Sequence, residues 1–231
     1  MADIATIAEI GTATGTLFLG AATFAATRSA NRAARVAERS LLVQLRPLLV
    51  PARPEDPEMK VIFGDGQKFR VSGGTGLVEE IDGVVYMAIP LRNAGSGLAV
   101  LSRYDFITDI ELQEAHRPVD PGIRERREKL HRPIAEFRNQ QRDIYIAPGD
   151  TGFWQAALRD DDDAVRSAVI KRLVEATNPI SIDILYGDNE GGQRAVTRLV
   201  LMPSESGTWL SGAVFHWTVE SADPRDLLDG D

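Results

Sequence analysis

Apolar and polar positions follow three successive patterns along this chain. The first is an uncharged run, Ile10–Thr27. As a helix rising about 1.5 Å per residue it would be about 27 Å long, close to the hydrocarbon thickness of a bilayer. The second is a stripe of arginines at 28, 32, 35 and 39. Their steps of four, three and four place them on one helical face, with Ala33, Ala34, Val36, Ala37, Leu41 and Leu45 supplying apolar surface elsewhere. Pro47, Pro51, Pro54 and Pro57 then end the helix and predict a stiff, extended linker over 47–58.

The third pattern begins at Lys60, where short β-like runs alternate with turn residues. Strands are expected at Lys60–Phe63, Lys68–Val71, Val84–Arg92, Ala99–Ile110, Asp143–Ile146, Gly152–Leu158, Ile180–Tyr186, Arg194–Met202 and Trp209–Val219. Gly64-Asp65-Gly66, Gly73-Gly74, Asn93-Ala94-Gly95-Ser96-Gly97 and Pro148-Gly149-Asp150 supply turn chemistry between them, and Gly187–Gln193 reads as a hairpin loop. One helix interrupts the strands: Val165, Val169, Ile170 and Leu173 fall at helical spacing within Ala164–Ala176. Asp160–Asp163 precede it, where carboxylates cap free amides and oppose the helix dipole. Residues 111–142 read as a long, charged connection. The expected fold is therefore mainly β: an antiparallel, immunoglobulin-like β-sandwich with one inserted helix, preceded by a long N-terminal helix. Its parts are the helix over 1–46, the linker over 47–58, the sandwich over 59–220 and an acidic tail over 221–231.

Charge gives the N-terminal helix an orientation. Only Asp3 and Glu9 precede the apolar run, whereas a secretory signal needs basic residues there. Positive charge follows the run, so the expectation is a single transmembrane helix at the cell membrane with the N-terminus outside and the domain cytoplasmic. The run is rich in Ala, Thr and Gly, which makes it a marginal span; the competing reading is a soluble subunit whose first helix docks into a protein assembly. Gly11 and Gly15 are spaced for close approach of two helices, pointing to a homodimer through this segment. Arg28, Arg32, Arg35 and Arg39 are placed to meet anionic lipid headgroups, each worth about 1 kcal/mol near the surface.

Net charge is -8 over 231 residues. Residues 28–46 hold about +4, so the portion from 47 onward is more acidic than the whole, which argues against nucleic acid as its partner. Cysteine is absent, removing disulfides, thiolate catalysis and cysteine-ligated metals.

No catalytic constellation emerges, and no cofactor or metal is expected. His116, His131 and His216 lack the spacing of a metal site on one element. Asp160–Asp163 lack the Asp/Asn-Gly alternation of a calcium loop. Gly73-Gly74-Thr75-Gly76 lacks the Lys-Ser/Thr of a phosphate loop and reads as a hairpin turn. Asp183, Asp188 and Glu190 gather around the 187–193 loop, where an exposed tip would leave them ordinary acids. An enzyme would need a site near the 148–154 and 187–193 loops in which Asp188, Glu190 or His216 converge. Phe153, Trp154, Trp209 and Trp217 read as core and strand-face aromatics.

Four stretches, Arg92–Leu101, Gln141–Tyr145, Pro148–Gln155 and Leu185–Arg194, resemble a family of uncharacterised actinobacterial proteins. That resemblance implies an N-terminal apolar helix, an Arg-rich juxtamembrane segment and a sandwich-like domain, and it carries no activity or catalytic residue. The expected function is thus protein interaction: a single-pass membrane protein presenting a cytoplasmic β-sandwich to an unidentified protein partner.

Overall fold

The structure, a computed structural model, describes residues 4–107, 133–175, 178–190 and 192–219. Within the first helix the description of 4–18, 21, 38, 39, 42 and 43 is of the backbone alone. The chain divides into two units, Met1–Gln44 and Leu45–Asp231. The first holds helix α1 (Ile4–Gln44), unbroken by proline along its length. Among the described residues no helix is long and apolar enough to cross a membrane. Much of the expected span, 10–18, lies outside the described side chains, as do Gly11, Gly15 and Arg39. Arg28, Arg32 and Arg35 are exposed.

The second unit is mainly β and antiparallel, as the alternation of its apolar residues requires. Its strands are β1 (Leu49–Pro51), β2 (Met59–Ile62), β3 (Lys68–Val71), β4 (Thr75–Ile81), β5 (Val84–Asn93), β6 (Ala99–Ile107), β7 (Arg138–Asn139), β8 (Tyr145–Ile146), β9 (Thr151–Leu158), β10 (Ile180–Gly187), β11 (Arg194–Pro203) and β12 (Trp209–Val219). A 3₁₀ turn covers Ile134–Glu136, and helix α2 spans Ala164–Glu175. In one layer β5 pairs with β9 on one side and with β4 and β1 on the other. In the other layer the order is β12-β11-β10-β6, with β7 and β8 both on the outer side of β6. Strand β4 links the layers, because its first residues, Thr75 and Gly76, pair with Leu210 and Trp209. The meander β10-β11-β12 within one layer departs from the four-plus-three strand arrangement of an immunoglobulin domain.

The layers face each other over one core. Met87, Ile89, Leu91 and Trp154 from the first meet Phe106, Ile182, Ile184, Leu199 and Leu201 from the second, and Val165 and Val169 of α2 join them. The hairpin β2–β3 covers the opposite face of the first layer with Val61, Phe63 and Val71 over Tyr86 and Ala88. Strand β5 is consequently buried on both faces, which accounts for its nearly continuous apolar sequence. Strand β10 alternates as the sequence suggests: Ile180, Ile182 and Ile184 face the main core. On its other face Asp183 accepts two hydrogen bonds of 2.7 Å from Arg198, whose guanidinium lies 5.3 Å from the Trp217 ring centre. Asp183 is therefore a buried structural acid (2% exposed) and does not join Asp188 and Glu190 at the loop.

Two segments correct the sequence reading. The expected linker over 47–58 belongs to the domain: β1 pairs with β5, Leu49 and Ala52 are buried, and the second unit begins at Leu45 rather than residue 59. Its prolines are tolerated because a three-residue strand asks for few amide donors, leaving Leu48-Leu49-Val50 free to enter the sheet. Strand β4 was also missed. It closes onto β5 through Asp82 and Gly83, both at positive φ (50° and 81°), the geometry that a two-residue Asp-Gly hairpin turn favours. The expected strand from Ala99 is described only to Ile107, and the charged connection 111–142 is described from residue 133. The acidic tail 221–231 lies outside the described residues.

The Asn93–Gly97 turn is held by one side chain. Asn93, fully buried, accepts from the Leu48 and Gly95 amides through Oδ1 and donates through Nδ2 to the carbonyls of Gly97 (2.7 Å) and Ile146 (3.0 Å). A Cβ at Gly97 would collide with the Leu45 carbonyl, so glycine there lets the incoming chain pass. Removing the carboxamide leaves several buried groups unpaired, each costing roughly 1–3 kcal/mol. Asn93→Ala should lower the unfolding free energy by about 3 kcal/mol in urea titrations followed by tryptophan fluorescence. A loss below about 1 kcal/mol would show that the turn does not depend on this residue.

Candidate functional site

Among the described residues, the two layers leave one side of the domain open, between the unpaired edge of β9 and the chain that follows β7. A cleft of about 470 Å³ lies there. Gln155, Ala156 and Ala157 of β9 line it, with Phe63 and Gly64 of the β2–β3 hairpin, Tyr104 of β6, Arg138 and Asn139 of β7, and Gln140, Gln141, Arg142 and Arg159. Tyr104 packs edge-on against Trp154, with ring centres 5.2 Å apart. Burial pushes its phenol up from the usual value, so the hydroxyl stays protonated.

Three guanidiniums line the cleft, and two are already committed. Arg138 forms a paired contact with Asp163 at 2.7 and 2.8 Å. The same carboxylate accepts from the Val165 amide and so caps α2. The Arg138 hydrogen bonds hold Asp163 below the usual carboxylate range, and Asp163 raises Arg138 in return. Arg159 reaches Asp65 at 2.9 Å. Arg142 has no carboxylate partner among the described residues.

Two amides are more informative. Gln155 is buried, and its Nε2 donates to Asp143 Oδ2 at 3.2 Å. Gln140 Nε2 donates to the Arg142 carbonyl at 2.9 Å. Flipping either amide would set oxygen against oxygen, so the orientations are determined by these acceptors. Each remaining Oε1 is buried and has no donor among the described residues. A buried acceptor without a donor costs roughly 1–3 kcal/mol, and native folds rarely leave two in one place.

Asp65 anchors the hairpin wall. Tyr86 Oη donates to it at 2.6 Å, and Arg159 and the Gln67 amide donate as well. The tyrosine hydrogen bond is the largest cause, and together these donors lower the Asp65 pKa to about 2. The carboxylate raises the Tyr86 phenol in turn.

The residues singled out in sequence are dispersed. Of the capping cluster, Asp163 caps α2 while Asp161 pairs with Arg166. Asp188 Oδ1 accepts from the Gly192 amide within its own loop. His216 directs Nδ1 toward Thr197 Oγ1 (3.1 Å) and Tyr186 Oη (3.2 Å), not toward an acid. Burial, and then the charge of Arg46, hold its imidazole below the usual 6.5. Trp154 and Trp209 are core residues. His116 and His131 lie outside the described residues, and among those described no cluster is suited to a metal ion. The sequence reading missed the cleft, although a signal existed: Gln155 stands alone among apolar neighbours in Gly152–Leu158. No known protein family, curated protein or solved structure matches the chain.

The Asp65 cluster gives a pH prediction. Because its folded pKa lies below the ordinary 3.8, its stabilising contribution is full above that value and is lost as pH falls toward about 2. Tyr86→Phe removes the main cause, so the Asp65 carboxyl resonance should titrate closer to 3.8, and acid unfolding should begin at higher pH. An Asp65 titration unchanged by the substitution would place the cause elsewhere.

Proposed function

We propose that this chain is a protein-binding module: a β-sandwich whose side cleft receives a segment of another protein. The observation that carries this reading is that two residues lining one cleft, Gln140 and Gln155, each hold an orientation-locked Oε1 that is buried and has no donor among the described residues. Such groups cost stability when the cleft is empty and recover it when a donor arrives, the usual trade between stability and function at a binding site. The cleft offers guanidinium donors beside these acceptors, which suits a ligand that presents both hydrogen-bonding roles, as a polypeptide does.

Gln155→Leu should therefore leave stability unchanged or raise it by about 1 kcal/mol, because a buried unpaired acceptor is removed together with its one weak hydrogen bond. The same change should weaken partner capture. A photocrosslinking residue at 141, an exposed cleft position, should label a discrete protein in native membranes, labelling should fall when Gln155→Leu is added, and a crosslinker on exposed Val174 should label none. Identical labelling from both positions would remove the reading.

The N-terminal helix is proposed as the membrane anchor, with the domain on the cytoplasmic side. Support comes from the uncharged run Ile10–Thr27, the continuity of α1, and the exposure of Arg28, Arg32 and Arg35 beyond the run. The full chain should associate more strongly with vesicles containing anionic lipid than with neutral ones. Replacing the three arginines with alanine should erase most of that preference, about fivefold per arginine. Equal association with both vesicle types would exclude the headgroup role.

A further inference from the structure

We infer that the ligand of the cleft is an extended peptide that adds a strand to the free edge of β9 and directs an acidic side chain to Arg142. This rests on the reading of the cleft as a protein-binding site and specifies how it binds.

The phase of the β5–β9 ladder decides the matter. Asn93 donates its amide to the Asp150 carbonyl at 3.0 Å and accepts from the Gly149 amide at 2.9 Å, so its backbone groups face the β9 side. Stepping by two along the register, Leu91/Gly152, Ile89/Trp154, Met87/Ala156 and Val85/Leu158 are bonded pairs. Between them, Pro90/Phe153, Ala88/Gln155 and Tyr86/Ala157 exchange no ladder bonds. Pro90 confirms the phase: it has no N–H to give, and its carbonyl accepts from Ala52 on the opposite edge at 2.9 Å. Phe153, Gln155 and Ala157 therefore aim their amides and carbonyls away from β5, toward the open side. Among the described residues the one hydrogen bond to any of their carbonyls comes from Arg159 Nη1, at 3.5 Å from the Ala157 oxygen.

Edge strands are ordinarily blunted by charge, proline or a bulge. Strand β9, Thr-Gly-Phe-Trp-Gln-Ala-Ala-Leu, carries no charge or proline, and its pairing with β5 is unbroken. Gln155 and Ala157, on this edge, also line the cleft that holds the two unpaired glutamine oxygens. A backbone repeat of donors and acceptors is matched by another extended backbone, whose side chains then alternate between the two walls. Of the cleft guanidiniums, Arg138 and Arg159 are held by Asp163 and Asp65, so Arg142 is the cation left for a ligand carboxylate.

The test uses the full-length protein and a library of randomised nine-residue peptides. Binders should be enriched in Asp or Glu at one position, and Arg142→Ala should lower affinity at least tenfold for such a peptide but not for its Asn or Gln counterpart. Backbone N-methylation of the selected peptide should weaken binding at least tenfold at alternate positions and leave the intervening ones unchanged. Ala157→Pro removes an outward amide without touching the ladder, and should weaken binding similarly while keeping the thermal unfolding midpoint within a few degrees. If that variant does not fold, the N-methylation pattern decides alone. Absence of binders, no acidic preference, or uniform N-methyl sensitivity overturns strand addition. If Gln155→Leu still abolishes partner capture in that case, the binding-module reading stands; if neither Gln155→Leu nor Ala157→Pro affects binding, both fall.

Discussion

Strand β5 must be buried on both faces while hydrogen-bonded on both edges, and the rest of the domain is arranged around that requirement. On one face Met87, Ile89 and Leu91 meet the second layer; on the other, Tyr86 and Ala88 lie beneath the β2–β3 hairpin. One edge takes β9, and the other is shared end to end by β4 and β1. Sharing brings the chain after α1 into the sheet, and Asn93 at the end of β5 ties that entry to β8 through Leu48 and Ile146 while it holds its own turn through Gly95 and Gly97. Because β9 has β5 on one side and pairs with no second strand among the described residues, the same arrangement creates the side on which the cleft lies.

The charged groups follow the packing and do not direct it. Asp163 has two structural duties at once, capping the start of α2 and holding Arg138 at the cleft wall, while Asp65 joins the hairpin turn to Tyr86 and Arg159. These pairs position the rim and leave Arg142 without a carboxylate partner among the described residues. The buried Asp183–Arg198 pair beside Trp217 belongs to the opposite face of the second layer and has no share in the cleft.

Much of the fold was legible because it is local. The alternation of Ile180, Ile182 and Ile184, the Asp-rich start of α2, and the hairpin around 187–193 each depend on neighbours within a few residues. Strand β1 was hidden because three residues between prolines carry too short a pattern, and β4 because its opening glycines resemble a turn that continues. The cleft was hidden for another reason. Gln155 stands out in sequence, but its meaning depends on Asp143 locking the amide and on Gln140 doing likewise nearby.

By itself, then, the sequence determined a long helix with an uncharged run and an arginine stripe, a mainly β antiparallel domain, and the absence of cysteine chemistry. These are matters of composition and short-range period, which water and backbone geometry act on directly. Tertiary structure alone decided that 47–58 belongs to the domain, with Leu49–Pro51 in the sheet, that Asp183 is a buried partner of Arg198, and that residues from 63 to 159 meet in one cleft. The phase of the β5–β9 ladder, and so the direction of the free amides on β9, is likewise a tertiary fact. It follows from pairing residues 59 to 73 positions apart, from Arg92↔Thr151 to Val85↔Leu158, which no local pattern encodes.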